Sequence, residues 1–163
     1  MSFLRSLIGL ADASRRWTRL RRQSHGGFTG GPFGRSFDVR HLDAGSCNAC
    51  ELELQALSGP AYDISRFGMG FVPSPRHADA VMLTGPITRN LEEAVRLTVE
   101  ATPHPRVVIA CGDCACGHGP FAGSYAVVDA PESVVHADVR ISGCPPTPQA
   151  ILDALMEARG GVS

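Results

Sequence analysis

The sequence predicts a single α/β domain with a largely parallel sheet and helices on both of its faces. Three observations support this fold class. Short apolar segments of the length of buried strands recur along the chain, segments with helical periodicity lie between them, and 163 residues with 44% hydrophobic composition are enough for one core. With 19% charged residues, the chain has the composition of a globular protein and not of a disordered one.

The elements follow in order from the residue patterns. Apolar segments bounded by glycine, proline or polar residues predict strands at 37–42, 78–85 and 105–112, with further candidates at 124–130 and 137–143. Apolar residues at spacings of three and four predict helices that open at 50–57, run from Asn90 to about Thr102, and close the chain at 148–158. Strands that alternate with helices in this way form βαβ units with parallel neighbours.

Residues 1–36 are predicted to form a separate segment in front of the domain at 37–163. Apolar residues recur at helical spacing between Phe3 and Trp17, and the segment holds seven arginines against one acid. We therefore expect an amphipathic basic helix over residues 1–22, followed by a glycine-rich linker. Such a helix either docks on a protein or lies on a membrane surface, and the pattern leaves both alternatives open.

The six cysteines all follow predicted strands. A close pair comes after the first strand, a group of three comes at and after the strand 105–112, and one comes after the last candidate strand: Cys47 and Cys50; Cys111, Cys114 and Cys116; and Cys144. In a doubly wound sheet, the loops at the carboxyl ends of the strands form the ligand-binding crevice. We therefore expect these thiols to converge, with the turn Thr84–Pro86 as a wall of the same crevice.

The spacing alone leaves three kinds of site open. A C-x-x-C pair near a βαβ unit is typical of thioredoxin-like redox proteins, and two such pairs can bind zinc. Four thiolates from scattered loops can bind a cubane iron–sulfur cluster. In a reducing cytoplasm, clustered thiols are more often metal ligands or catalytic groups than disulfides.

The segment ISGCPPTP around Cys144 favours the iron–sulfur alternative. Pro145 and Pro146 have fixed φ angles, so they predict a rigid turn that holds the thiol. Gly143 lets the backbone approach closely, and the segment CGDCACGHGPFAGS is similarly rich in glycine. Backbone amides near cluster sulfurs adjust the reduction potential of the cluster through hydrogen bonds.

Four ordered motifs together resemble a known family. They are DAGSCNACELELQAL, PSPRHADAVMLTGPITRN, GDCACGHGPFAGSYAVV and VRISGCPPTPQAILDALME, within residues 38–158. The chain resembles the small, electron-transferring subunit of energy-converting nickel-iron hydrogenases and formate hydrogenlyases, and the related complex I subunit that carries the terminal cluster. The resemblance implies a flavodoxin-like α/β domain that binds one 4Fe-4S cluster at the interface with a large subunit.

The resemblance also implies a ligand set. By motif, the four ligands are Cys47, Cys50, Cys114 and Cys144. The complex I relatives have two adjacent cysteines at the places of Cys47 and Asn48, whereas this chain has its second cysteine at position 50, which indicates the hydrogenase-like branch. Cys111 and Cys116 match no family ligand, and we expect a buried thiol and a loop residue there.

Two further residues receive roles from the resemblance. Glu51 resembles an acid between the cluster and the centre of the large subunit, where a buried carboxylate could relay protons. Arg76 resembles an arginine near the cluster of the complex I relatives. An acid at a helix N-terminus and a surface ion pair are the ordinary alternatives for these two residues.

The implied partners are other redox subunits. We expect electrons to pass between a ferredoxin-like iron–sulfur subunit and a nickel-iron hydrogenase-like large subunit, and the chain alone to catalyse nothing. Two other functions stay open: a complex I-like, quinone-linked oxidoreductase subunit, and a zinc-stabilised interaction module. We expect no nucleic-acid partner.

The expected location is the cytoplasm, peripheral on the inner face of the cytoplasmic membrane as part of a complex. The sequence contains no run of about 18 apolar residues, and its N-terminus does not have the pattern of a secretory signal. Residues 1–22 are the expected contact with membrane subunits.

Overall fold

A computed structural model of the protein describes residues 33–34, 36–129 and 131–160. The helix expected over residues 1–22 lies outside the described residues. The described part contains no helix that is both long and apolar enough to cross a membrane.

The core of the fold is one sheet of five parallel strands. In chain order the strands are β1 (Phe37–Asp43), β2 (Met69–Phe71), β3 (Ala80–Thr84), β4 (Val107–Cys111) and β5 (Val139–Ile141). Their order across the sheet is β2-β1-β3-β4-β5, and every neighbouring pair is parallel. This order is that of a flavodoxin-like doubly wound sheet, so the predicted fold class is confirmed.

The described residues form three α-helices. They are α1 (Ala49–Leu57) between β1 and β2, α2 (Glu92–Ala101) between β3 and β4, and α3 (Pro148–Arg159) after β5. Short 3₁₀ turns occupy Ile64–Phe67, Pro75–His77 and Pro131–Ser133. The start of α3 is set by its sequence: Thr147 Oγ1 accepts a hydrogen bond from Ala150 N (3.3 Å), and Pro148 occupies the first turn, where no backbone donor is needed.

Alternating side chains of the strands build a core on each face of the sheet. Ala80 and Met82 of β3 pack in the cluster that includes residues of α1 and α3. Val81 and Leu83 of the same strand pack with Val95 of α2 on the other face. Since successive strand residues point to opposite faces, helices cover both faces, as predicted.

Two strand predictions differ from the structure. The short strand β2 was not predicted, and the candidate strand at 124–130 is a loop over its described residues, with a single antiparallel bridge between Thr88 and Val127. Val128 packs against the core beside α2, which accounts for an apolar residue in this loop. Its N–H donates a hydrogen bond to Ile87 O (2.8 Å). A loop whose apolar residues cover the core has the same sequence pattern as a buried strand.

Candidate metal centre

Four strands end at the same level of the sheet, and the cysteine loops begin there. The last residues of β1, β3, β4 and β5 are in register: Asp43 pairs with Thr84, Thr84 with Cys111, and Cys111 with Ile141. All six cysteines lie at this carboxyl edge or in the segments that follow it, with Cys50 in the first turn of α1. The expected convergence of the cysteine loops is therefore present in the fold.

The loop that holds Cys47 and Cys50 is shaped by Asp43. Its Oδ1 accepts hydrogen bonds from Gly45 N (2.8 Å) and Ser46 N (2.7 Å). Partial burial raises the pKa of Asp43, but these two hydrogen bonds, together with one from the Ser46 side chain and the effect of His41, bring the pKa below its usual value. Asp43 was not among the predicted site residues, although the segment DAGS has the Asp and Gly of a side-chain-capped turn.

Two glycines let the backbone lie against thiol sulfurs. A Cβ at Gly112 would lie 2.7 Å from Cys50 Sγ, and a Cβ at Gly119 would lie 2.4 Å from Cys114 Sγ. Both distances are too short for any side chain, and Gly112 also has φ of +93°. Thus the expected close approach of backbone to the thiols exists at Gly112 and Gly119.

The predicted ligands are close enough to influence one another electrostatically. Burial raises the pKa of Cys50 to about 11, with further contributions from Glu51 and from the other three predicted ligands. Burial also raises the pKa of Cys114, followed by Cys144 and Cys47. Four thiolates this close repel one another, so a cationic centre is needed to stabilise them together.

The chemistry of this donor set fits an iron–sulfur cluster: it consists of thiols, and backbone lies against two of them. Over the described ranges, no group of three or more His, Cys, Asp or Glu side chains is placed to hold a single metal ion. A 4Fe-4S cluster takes one thiolate on each iron. Thiolates with backbone amides around them are the ligands that such clusters use.

The two remaining cysteines lie deeper. Cys111 ends β4 and is fully buried, and burial, followed by the neighbouring Cys50, raises its pKa. Cys116 packs against a small alanine cluster, with its Sγ 3.9 Å from Ala110 O. Their positions match the expected buried thiol and loop residue.

Glu51 follows Cys50 in the first turn of α1, and its two carboxylate oxygens are buried. Within the described part of the chain, neither of its carboxylate oxygens has a hydrogen-bond partner, and Oε1 lies 3.6 Å from His41 Nε2. A 2.8 Å hydrogen bond joins His41 Nε2 to Thr84 Oγ1. Burial lowers the pKa of His41, against the opposing effects of Glu51 and Asp43. His41 could not be identified from the sequence, since it meets Glu51 only through the fold.

The structure does not bring Arg76 together with the cysteines. Arg76 is exposed in the turn Pro75–His77, which precedes β3, whereas the cysteine loops follow the carboxyl ends of the strands. The five residues of β3 separate these levels by about 13 Å. The predicted place of Arg76 near a cluster stays a prediction, with no contact to support it.

Comparison with known proteins adds the family. Residues 47–158 match the family model described as NADH ubiquinone oxidoreductase, 20 Kd subunit. The probable membrane-bound hydrogenase subunit mbhJ of Pyrococcus furiosus is 45% identical over 125 residues, which are 77% of this chain and 75% of that protein. Formate hydrogenlyase subunit 7 of Escherichia coli is 40% identical over 77% of this chain, which spans only 49% of that protein.

Similarity extends to a third relative and to a solved structure. An NADH-quinone oxidoreductase subunit of Heliobacterium modesticaldum is 40% identical over 69% of this chain and 65% of that protein. The structure of the membrane-bound sulfane sulfur reductase, an archaeal respiratory membrane complex, contains a chain with a TM-score of 0.68 at 29% identity, covering 78% of this chain and 71% of that one. This chain is similar to subunits of a hydrogenase and of a formate hydrogenlyase. By its sequence and its fold, it belongs to the family of the NADH ubiquinone oxidoreductase 20 Kd subunit.

Proposed function

We propose that this chain is an electron-transfer subunit that holds one 4Fe-4S cluster on Cys47, Cys50, Cys114 and Cys144. In this proposal it passes electrons between a ferredoxin-like iron–sulfur subunit and the active site of a large subunit, in a nickel-iron hydrogenase-like complex. The observation that carries the proposal is the convergence of these four thiols on loops that leave the sheet at one level. When bound, the cluster supplies a one-electron carrier.

The residues of this chain hold and shield that site. The turn capped by Asp43 positions the first two thiols, and the backbone at Gly112 and Gly119 lies against Cys50 and Cys114. Peptide groups close to the sulfurs can donate hydrogen bonds to them, which favours their charged form. The end of β4 is buried, and its last residue, Cys111, lies beside Cys50.

The open side of the site fits a large protein partner. Cys47 and Cys144 are exposed, so a cluster there would face solvent in the isolated chain. Large apolar side chains are exposed nearby in the sequence: Leu52 in the first turn of α1, and Phe121 and Tyr125 in the loop that follows Cys114. Tyr125 is 91% exposed, so its ring is open to contact with a partner. We assign this surface to the large subunit.

Glu51 relays protons in this proposal. A carboxylate that is buried without a hydrogen-bond partner among the described residues is costly to maintain, and such groups are frequent at functional sites. His41 Nε2 lies 3.6 Å from Glu51 Oε1 and is a titratable partner for a proton exchange. This arrangement supports a proton-carrying acid beside the cysteine loops.

Assembly and location complete the proposal. Two of the similar proteins are named as membrane-bound or as part of a respiratory membrane complex. We infer that this chain sits peripherally on the inner, cytoplasmic face of the membrane, with residues 1–22 towards membrane subunits. Alone, it carries electrons without catalysing a reaction.

A second candidate is a complex I-like, quinone-linked oxidoreductase subunit. It is favoured by the family description itself and by the 40% identity to the Heliobacterium subunit of NADH-quinone oxidoreductase. The position of Cys50, two residues after Asn48, favours the hydrogenase-like candidate. The two candidates share the cluster and differ in the large subunit.

The test is a metal count on the complex purified without oxygen through a tag on the full chain. We expect iron together with nickel, and a decrease of about four irons per complex in Cys114→Ala. Cys116→Ala is the matched control, since its thiol lies two residues away and packs on alanines, and it should keep its iron.

Each other outcome of the metal count decides between the candidates. Iron without nickel would favour the quinone-linked candidate. Zinc without iron would reject electron transfer in favour of the zinc-stabilised interaction module, and iron loss in Cys116→Ala alone would reject the ligand set.

A further inference from the structure

The loops after β4 and β5 are joined by a reciprocal pair of hydrogen bonds just before each predicted ligand. Asp113 N donates to Gly143 O (2.9 Å), and Gly143 N donates to Asp113 Oδ1 (2.7 Å). Asp113 precedes Cys114, and Gly143 precedes Cys144. The two peptide segments that carry these thiols are therefore tied at adjacent residues, although they are 30 positions apart in sequence.

The side chain of Asp113 takes over where the sheet stops. Two backbone bonds join the segments past β4: Gly112 N donates to Ile141 O (2.8 Å), and Asp113 N donates to Gly143 O (2.9 Å). Gly143 has φ of +140° and turns away from strand geometry, and its own N–H donates to the side chain of Asp113 and not to a backbone carbonyl. The carboxylate supplies that acceptor and extends the strand pairing up to the two cysteines.

Asp113 also organises the turn on its own side. Its carbonyl oxygen accepts a hydrogen bond from His118 N (3.0 Å), which closes the turn that contains Cys114. The side chain is 71% buried, since 29% of it is exposed. Its Oδ1 also lies 3.5 Å from His118 Nε2. Asp113 is adjacent to Cys114 in the chain, so its carboxylate charge acts on that thiol at short range.

We propose that Asp113 is a positioning residue for the cluster, with two separable effects. Its hydrogen bond to Gly143 fixes Cys114 relative to Cys144 and so determines how long the cluster is retained. Its charge makes the local potential more negative and so lowers the reduction potential of the cluster. The inference rests on the proposed function, because it requires a cluster on these two thiols.

Two substitutions separate the effects. Asp113→Asn keeps an oxygen that can accept from Gly143 N and removes the charge, whereas Asp113→Ala removes both. In the purified complex, we expect Asp113→Ala to shorten the half-life of the cluster against an iron chelator by about tenfold, the loss expected for one charge-assisted hydrogen bond. Asp113→Asn should keep the half-life within about twofold.

The midpoint potential is the second measurement. Asp113→Asn should move it upwards, because a negative charge near the cluster is lost. The control is Asp138→Asn, in which a similar carboxylate accepts from Val108 N (2.8 Å) at the far end of the same strand pair. An unchanged half-life in Asp113→Ala would overturn the first effect, and an unchanged potential in Asp113→Asn would overturn the second.

A third measurement does not need the cluster. In the full chain without cluster, hydrogen exchange at Gly143 N should become faster in Asp113→Ala and stay near the wild-type rate in Asp113→Asn. Equal exchange rates in all three proteins would overturn the tie between the loops. A wild-type complex without cluster iron would instead overturn the proposed function, which keeps the two failures distinguishable.

Discussion

At the amino edge of the sheet, Asp79 and Asp138 accept backbone N–H groups from neighbouring strands, whereas at the carboxyl edge Asp43 and Asp113 accept N–H groups from loops that hold cysteines. The hydrogen bond is chemically the same at both edges. At the amino edge it joins two strands and serves the fold alone. At the carboxyl edge it shapes a loop and so serves the site. One kind of contact therefore contributes to stability or to function according to which edge of the sheet it occupies.

The largest expected effect is a loss of cluster at the carboxyl edge, caused by a methyl group placed against a thiol. In Gly112→Ala the new Cβ would lie 2.7 Å from Cys50 Sγ, so the sulfur must move away from its position. We expect cluster occupancy to fall at least about fivefold, since ligand geometry tolerates only small displacements. Iron content and absorbance of the purified complex measure this loss.

Gly123→Ala is the matched control for that substitution. Gly123 has a similar positive φ of +76°, but a Cβ there meets nothing within 4 Å. Both variants carry the backbone cost of alanine at positive φ, about 1–2 kcal/mol, and only Gly112→Ala disturbs a thiol. Equal iron contents in the two variants would contradict the role given to Gly112.

A smaller effect is expected at the amino edge, and it concerns the stability of the fold and not the cluster. Asp138→Ala removes the acceptor for Val108 N, whose residue is buried, and should lower the free energy of unfolding of the full chain by about 1–3 kcal/mol. Cluster content should stay at the wild-type level. Urea denaturation and iron analysis of the same preparation would test both statements, and a loss of iron at unchanged stability would reverse the assignment of the edges.

The smallest expected effect is a pH dependence at the carboxyl edge. Burial lowers the pKa of His41 below its ordinary value of 6.5, against opposing effects of Glu51 and Asp43 and with a further lowering by Arg40. As the pH falls through 6.5, His41 is therefore protonated in the unfolded chain before it is protonated in the folded chain. The contribution of His41 is complete above that pH and is lost progressively below it.

Denaturation of the cluster-free chain between about pH 7.5 and pH 5.5 measures this dependence. His41→Asn should show a smaller decrease in the free energy of unfolding than the wild-type chain over that range. His77→Asn, which changes an exposed histidine at the amino edge, is the control and should follow the wild-type curve. Identical curves for His41→Asn and the wild-type chain would contradict the prediction.

The sheet and its helices could largely be predicted because their signals are local. The segments of β3 and β4 are continuous apolar runs, and α3 has apolar residues at helical spacing. The rule that ligands bind at the carboxyl ends of strands predicted the convergence of the cysteine loops. β2 could not be predicted, because three residues carry no periodicity and Met69–Phe71 becomes a strand only by pairing with β1.

The residues that support the thiols could not be predicted for a similar reason. Asp113 meets Gly143 across 30 residues, and His41 meets Thr84 across 43. Neither contact leaves a pattern in the sequence, since an isolated Asp or His at a strand end is equally consistent with a solvated turn. The cysteines can be identified from sequence motifs, whereas the residues that position them can be identified only from distances in the structure.

The common register of the four strand ends determines where this chain can change in length. Deleting one residue within β4 would pull Cys111 and the loop behind it back by about 3.3 Å and turn alternate side chains to the other face. Insertions between Ser58 and Asp63, or between Thr102 and Arg106, would enter connections at the far edge and leave all four thiols in place. Natural length variation and engineered tags therefore belong in those connections, and the strands that end at Asp43, Thr84, Cys111 and Ile141 must keep their residue count.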